Sequence, residues 1–111
     1  MKPFKEAEGY ADDLQAAYDF YKAYGRGVAG RFLAAYGEAV GTITRHPFVC
    51  RPRRHGWRQM VIRRYPGYSI FYKELPDFWL LGGIVSTLRD PDLIQARLLI
   101  REVSESPEEQ S

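Results

Sequence analysis

The sequence predicts an α+β fold in which an N-terminal antiparallel helical hairpin packs on an antiparallel sheet of three to four strands, followed by a short C-terminal helix. Apolar residues recur at helical spacing through the first 45 residues, and the period then shortens to that of strands separated by proline-containing turns. Consecutive helices followed by consecutive strands are typical of the α+β class.

The two hairpin helices are predicted at about residues 7–24 and up to residue 45. Gly25-Arg-Gly27 interrupts the helical pattern and predicts a tight turn between them. Pro47 ends the second helix, because the residue before a proline resists the helical conformation. A connection this short predicts two antiparallel helices in contact.

Three strands are predicted at about residues 57–64, 68–74 and 78–85. Pro66-Gly67 fits the centre of a type II turn, where glycine supplies the positive φ. The last run is almost continuously apolar, which indicates a central strand covered on both faces. An additional edge strand is expected at residues 48–53, because a proline and three arginines suit an edge. The N-terminal seven residues make a poor strand.

Side-chain alternation assigns part of the sheet to a face. Met60 and Ile62 are expected to meet the helices, while Trp57 and Val61 point the other way. For the neighbouring strand either parity of Ile70 is compatible with the pattern.

Asp90-Pro91 is expected to start the last helix, with Leu93, Ile94 and Leu98 on its inner side. Residues 1–103 then form a single domain, and residues 104–111 form a polar, acidic tail that we expect to be disordered.

Composition limits the class of protein. A hydrophobic content of 45% is sufficient for a folded core. The single cysteine, Cys50, cannot form an internal disulfide, and no apolar run approaches the roughly 20 residues of a membrane span. We therefore expect a cytoplasmic protein without a membrane partner. No zinc-type cysteine pair, phosphate loop or dinucleotide fingerprint is present, so neither a metal nor a cofactor is expected.

Charge is strongly polarised along the chain. Residues 39–73, the basic window, contain eight of the sixteen Lys and Arg residues and no Asp or Glu. Such crowding of like charge costs stability, so it indicates a surface that binds an anionic partner. The residues that we assign to anion binding are Arg51, Arg53, Arg54, Arg58, Arg63 and Arg64.

An ordered set of segments resembles the RelE/ParE superfamily of type II toxin–antitoxin toxins, the plasmid stabilisation type. The resemblance covers about residues 7–98. The segments that carry it are Ala11–Leu14, Ala17–Tyr21, Gly30–Leu33, Ala39–Pro47, Arg58, Arg64–Tyr72 and Ile84–Pro91. The resemblance implies a helical hairpin on a curved antiparallel sheet. It also implies a cognate antitoxin, whose acidic residues we expect to neutralise the arginines of the basic window.

Within this superfamily the resemblance leaves three functions open. ParE-like members inhibit DNA gyrase without chemistry of their own, RelE-like members cleave messenger RNA on the ribosome, and a non-toxic relative would bind nucleic acid only. Many members have a histidine where Ser86 stands, and the basic strand region lacks lysine. Both departures favour the ParE-like function. The sequence leaves a homodimer and a toxin–antitoxin hetero-oligomer equally open.

A RelE-like activity would need a proton carrier beside cations that stabilise the phosphate. For that case the candidate catalytic residues are Arg58 and Arg89, which match recurring family arginines, with His55 and Tyr68 as proton carriers. Arginine suits the cationic role only, since its pKa, above about 12, makes it a poor base.

Overall fold

A computed structural model describes residues 2–105. It confirms the predicted α+β class. Two single-turn 3₁₀ helices, Pro47–Val49 and Arg54–Gly56, lie between the helical hairpin and the sheet. The main elements are β1 (Phe4–Glu6), α1 (Tyr10–Lys22), α2 (Arg26–Arg45), β2 (Arg58–Val61), β3 (Tyr68–Glu74), β4 (Trp79–Ser86) and α3 (Pro91–Glu105).

The four strands lie in the order β1-β4-β3-β2, and β1 runs parallel to β4 while the other pairs are antiparallel. Two expectations are thereby corrected. The N-terminal segment, which was expected to be a poor strand, is the fourth strand, and its Lys5 pairs with Leu80. Residues 48–53, which were expected to form an edge strand, do not join the sheet. Residues 48–53 instead form part of a 3₁₀ turn and an irregular loop. Three residues are too few to show an alternating pattern, so only the pairing with β4 reveals β1 as a strand.

The β2–β3 connection differs from the predicted type II turn. Arg64, and not Gly67, has a positive φ, at 72°. Backbone hydrogen bonds hold the connection at two points: Tyr65 N–H donates to the Ile62 carbonyl at 2.9 Å, and Tyr68 N–H donates to the Tyr65 carbonyl at 3.0 Å. A non-glycine residue in the left-handed region is strained, and it keeps that conformation only where its surroundings hold it there.

The sheet separates two hydrophobic clusters and lies between two helical layers. Met60, Ile62 and Ile70 face the α1–α2 hairpin, which settles the parity of β3. Phe71 faces the opposite side and packs with Leu98 of α3. The predicted central strand is confirmed, because β4 pairs with strands on both sides and is covered by helices on both faces.

A β-bulge in β4 interrupts its pairing with β3. Phe71 pairs with Gly83 and Tyr72 pairs with Leu81, which leaves Gly82 without a partner in the ladder. A Cβ atom at Gly82 would lie 2.5 Å from the Trp57 ring. The glycine therefore allows the buried indole to lie directly against the strand.

Helix α3 is longer than the sequence indicated. It includes Ser104 and Glu105, which had been assigned to the tail, while residues 106–111 of that tail lie outside the described residues. Its inner side is held by two ion pairs of 2.9 Å, Lys73–Glu102 and Lys5–Glu105. Within residues 2–105 no helix is long and apolar enough to cross a membrane.

Candidate functional site

The sheet distributes the arginines of the basic window over three places. Arg51–Arg54 lie in the loop before β2, Arg58 lies within β2, and Arg63 and Arg64 lie beyond its far end. Because strand β2 separates the first group from the last, these arginines do not form one continuous site.

The Arg58 side chain points towards the hairpin side of the sheet, where it contacts a backbone carbonyl and two aromatic rings. Its Nη1 donates to the Cys50 carbonyl, and its guanidinium lies over the rings of Phe48, at 5.2 Å, and Trp79, at 5.6 Å. Its Nε is buried without a hydrogen-bond partner among the described residues. These contacts tie the loop after α2 to the sheet, which gives Arg58 a structural role.

The loop before β2 presents exposed cations near the N-terminus of α3. Arg54 Nη1 lies 2.9 Å from Asp92 Oδ1, while Arg51 and Arg53 are exposed. His55 has a φ of 58° and lines a cavity of 360 Å³ together with Trp57 and side chains of α3. This end of the molecule therefore combines positive charge with a partly apolar recess.

A third arginine joins Arg63 and Arg64 at the other end of β2. Arg31 of α2 lines a cavity of 420 Å³ with them, and we call this recess the three-arginine cavity. Ala34, Ala35, Glu38 and Tyr65 complete its lining. Sequence reasoning missed Arg31 because it lies outside the basic window and meets the other two only through the fold.

Tyr68 and Arg89 are neighbours across the turn after β4. Burial raises the pKa of the Tyr68 hydroxyl and the Arg89 charge opposes the rise, with a net upward shift. Tyr68 belongs to an aromatic group with Phe20 and Tyr21, at ring distances of 6.0 and 5.8 Å. A tyrosine with a raised pKa is protonated at neutral pH, so it is a poor base.

The four candidate catalytic residues are not brought together. Arg58 pairs with Tyr72 and Tyr68 pairs with Ser86, which places Arg58 and Tyr68 roughly 13 Å apart along the sheet at about 3.3 Å per residue. His55 and Arg89 line two different cavities. The Tyr72 hydroxyl, another possible proton carrier, is buried and donates to the Pro47 carbonyl at 2.8 Å.

The outer face of α3 is apolar and uncovered. Leu93 is 68% exposed and Ile100 is 67% exposed, and Leu99 and Val103 extend the same face. The prediction that Leu93 lies on the inner side was wrong; Ile94 and Leu98 do lie there. Contiguous apolar patches of this kind on soluble proteins mark interaction surfaces.

Among residues 2–105, no cluster of three or more His, Cys, Asp or Glu side chains could hold a metal ion.

A helical hairpin packed on this sheet is an architecture already known from toxin–antitoxin systems. A solved chain described as the chromosomal ParDE toxin–antitoxin system from P. aeruginosa is similar to it, with a TM-score of 0.67 and 22% sequence identity. The match covers 78% of this chain and 96% of that one, and at this identity it concerns the fold alone.

Residues 7–90 match the family model of the ParE toxin of the type II toxin–antitoxin system parDE, and the chain belongs to that family. Helix α3 begins at Pro91, directly after the last matched residue. No curated protein sequence matches the chain significantly.

Proposed function

We propose that this protein is a growth inhibitor that binds DNA gyrase in the cytoplasm and is neutralised by a cognate antitoxin. The observation that carries the proposal is the match of residues 7–90 to the ParE toxin family. ParE-like toxins act by binding, so the proposed activity needs no catalytic centre in the chain itself.

The placement of the candidate catalytic residues supports a binding protein over a messenger RNA endonuclease. Metal-free cleavage of RNA needs a base, an acid and phosphate-stabilising cations around one reacting group. Here Arg58 is packed against two aromatic rings, and Tyr68 lies at the other end of β3 from the residue that pairs with Arg58. His55 and Arg89 line different cavities, which meet at Gln95.

The outer face of α3 and the basic loop support the proposed antitoxin contact. Leu99 lines the recess that His55 also lines, and Arg54 joins the basic loop to the start of α3 through Asp92. The basic loop that contains Arg51 and Arg53 therefore lies next to α3. A partner that matches this surface has apolar side chains flanked by carboxylates, which is the chemistry of an acidic amphipathic segment.

Induction of the chain in growing cells tests the proposed target. We expect growth arrest, DNA damage signalling and a change in plasmid supercoiling, with messenger RNA intact in the same cultures. Cleavage of messenger RNA at ribosome-bound codons, with normal supercoiling, would show a RelE-like endonuclease instead. Unchanged growth would show a non-toxic relative. Co-expression of the cognate antitoxin serves as the control, because it is expected to restore growth.

A further inference from the structure

We propose that the three-arginine cavity, formed by Arg31, Arg63 and Arg64, is a binding site for a phosphate group. Two of these arginines lie on the β2–β3 connection and one lies on α2, so the cavity receives cations from two independent elements. Its volume of 420 Å³ admits a phosphate with part of the molecule that carries it.

The charge of the cavity is not fully balanced by residues 2–105. None of the ion pairs formed by residues 2–105 involves Arg31, Arg63 or Arg64, and all three side chains belong to exposed residues. Glu38 is the one carboxylate among the lining residues, which leaves three positive charges against one negative charge. This excess matches the charge of a phosphate dianion, which would offset the mutual repulsion of the guanidinium groups.

The connection that presents two of the arginines is fixed in place. Tyr65 packs edge-on against Tyr21 and Phe32, with ring centroids 4.9 and 5.5 Å apart. On the other side, the Thr87 backbone N–H donates to the Gly67 carbonyl at 2.8 Å. A loop anchored at both ends fixes the backbone from which these two arginines project, so no further ordering of the loop backbone is needed when an anion binds.

The backbone of Arg64 is strained, and the strain would be absent with glycine at this position. Its φ of 72° lies in the left-handed region, which side chains other than Gly, Asn and Asp adopt rarely. Glycine would fit this turn position without strain. An arginine at such a position is explained when its guanidinium has a use, and the cavity that it lines supplies one.

Phosphate fits the cavity better than a carboxylate does. A carboxylate offers two coplanar oxygens and is satisfied by one bidentate arginine, whereas a phosphate offers three or more oxygens in a tetrahedral arrangement. Three guanidinium groups that approach from a helix and a loop suit the second geometry. The same phosphate chemistry is presented by a free nucleotide and by the backbone of DNA.

Binding to the purified full-length chain tests the site. The probes are inorganic pyrophosphate, ADP and a duplex DNA of about 20 base pairs, and NMR follows the Arg31 and Arg64 resonances. Arg31→Ala and Arg64→Gly remove one guanidinium each, and glycine relieves the strain at residue 64. Arg26→Ala is the matched control, since Arg26 is also an exposed arginine of α2 but does not line the cavity.

We expect Arg31→Ala and Arg64→Gly to weaken pyrophosphate binding about tenfold or more each, as loss of a charge-assisted hydrogen bond does, while Arg26→Ala leaves it unchanged. If DNA is the source, Arg31→Ala also lowers the slope of log K against log salt for the duplex by about 1. If a nucleotide is the source, ADP binding weakens in the same two variants and binding to the duplex does not. Polyglutamate serves as an additional, carboxylate-bearing probe. Equal affinity of all variants for every probe overturns the site, as does binding of polyglutamate with no binding of pyrophosphate.

Discussion

Arg101 of α3 and Asp13 of α1 form a two-point ion pair, with Nη1–Oδ2 at 2.6 Å and Nη2–Oδ1 at 3.2 Å, across the edge of β4 that β1 leaves unpaired. The same groups also pair with the strand itself. Arg101 donates to the Gly82 carbonyl at 2.8 Å, and Asp13 accepts from the Ile84 N–H at 3.1 Å. The pair therefore caps the exposed strand edge and connects the two helical layers.

Removing one partner of this pair is expected to destabilise the protein strongly. Asp13 and Arg101 are only 10% and 15% exposed, so Asp13→Ala or Arg101→Ala leaves an unpaired charge in a poorly solvated place. We expect a loss of about 3–5 kcal/mol in the free energy of unfolding, measured by urea denaturation. The exposed neighbour Asp12→Ala is the control and is expected to change it by about 0.5 kcal/mol or less. A double-mutant cycle without coupling between Asp13 and Arg101 would refute this role.

Arg58→Ala is expected to reduce stability as well as any activity. The guanidinium contacts Phe48, Trp79 and the Cys50 carbonyl, and these contacts together are estimated to contribute about 2–4 kcal/mol. Thermal unfolding of Arg58→Ala and of the exposed-loop variant Arg53→Ala compares the two kinds of arginine. A melting temperature of Arg58→Ala equal to that of the unsubstituted protein would show that the side chain is free for another role.

Stability is expected to fall at alkaline pH. Burial raises the pKa of Tyr10 and of Tyr72 above the ordinary value of 10.0, and hydrogen bonding of Tyr10 to Tyr36 adds to the first shift. Above about pH 10 the unfolded chain loses these protons while the folded chain keeps them, so stability decreases with pH by up to about 1.4 kcal/mol per pH unit for each tyrosine. Below pH 10 this contribution is fully present.

Chemical denaturation between about pH 8 and 11 measures this decrease, and Tyr10→Phe and Tyr72→Phe isolate the two hydroxyls. Each variant is expected to have a shallower alkaline decrease than the unsubstituted protein. An identical slope in all three proteins would show that neither hydroxyl causes the decrease.

An added charge on the outer face of α3 and a charge reversal in the adjacent basic loop are each expected to weaken antitoxin binding. Ile100→Glu introduces a carboxylate on the exposed apolar face, and Arg53→Glu reverses a cation of the adjacent loop. We expect each to raise the dissociation constant about tenfold or more by the loss of roughly 1.4 kcal/mol or more, with folding unchanged. Lys22→Glu on α1 is the control, measured in the same calorimetric titration. Unchanged affinity in both surface variants would place the antitoxin elsewhere.

The helices and the two central strands could be predicted from sequence because their signals are local. α2 carries a long apolar stripe and ends at Arg45, shortly before Pro47, and β4 is apolar at nearly every position. By contrast, β1 has three residues and exists through its pairing with Trp79–Leu81, which no local pattern encodes. The Pro66-Gly67 dipeptide suggested a left-handed glycine, but the loop contacts place that conformation at Arg64 instead.

The candidate site was predicted less completely than the fold. Sequence identified the basic window, but not that β2 divides it or that Arg58 turns inward. Arg31 joins Arg63 and Arg64 from a distant helix, so its role depends on tertiary packing. The outer face of α3 was missed because Leu93 was assigned to the core, and an isolated helix with apolar residues on two sides does not reveal which side is covered.

A gyrase assay with the purified chain distinguishes a gyrase inhibitor from a messenger RNA endonuclease. Supercoiling of relaxed plasmid by DNA gyrase is measured with increasing toxin, with and without antitoxin, beside a ribosome reaction that contains messenger RNA. We expect inhibited supercoiling with accumulation of cleaved DNA, reversal by antitoxin, and intact messenger RNA. Unaffected gyrase together with messenger RNA cut on the ribosome would refute the proposed function.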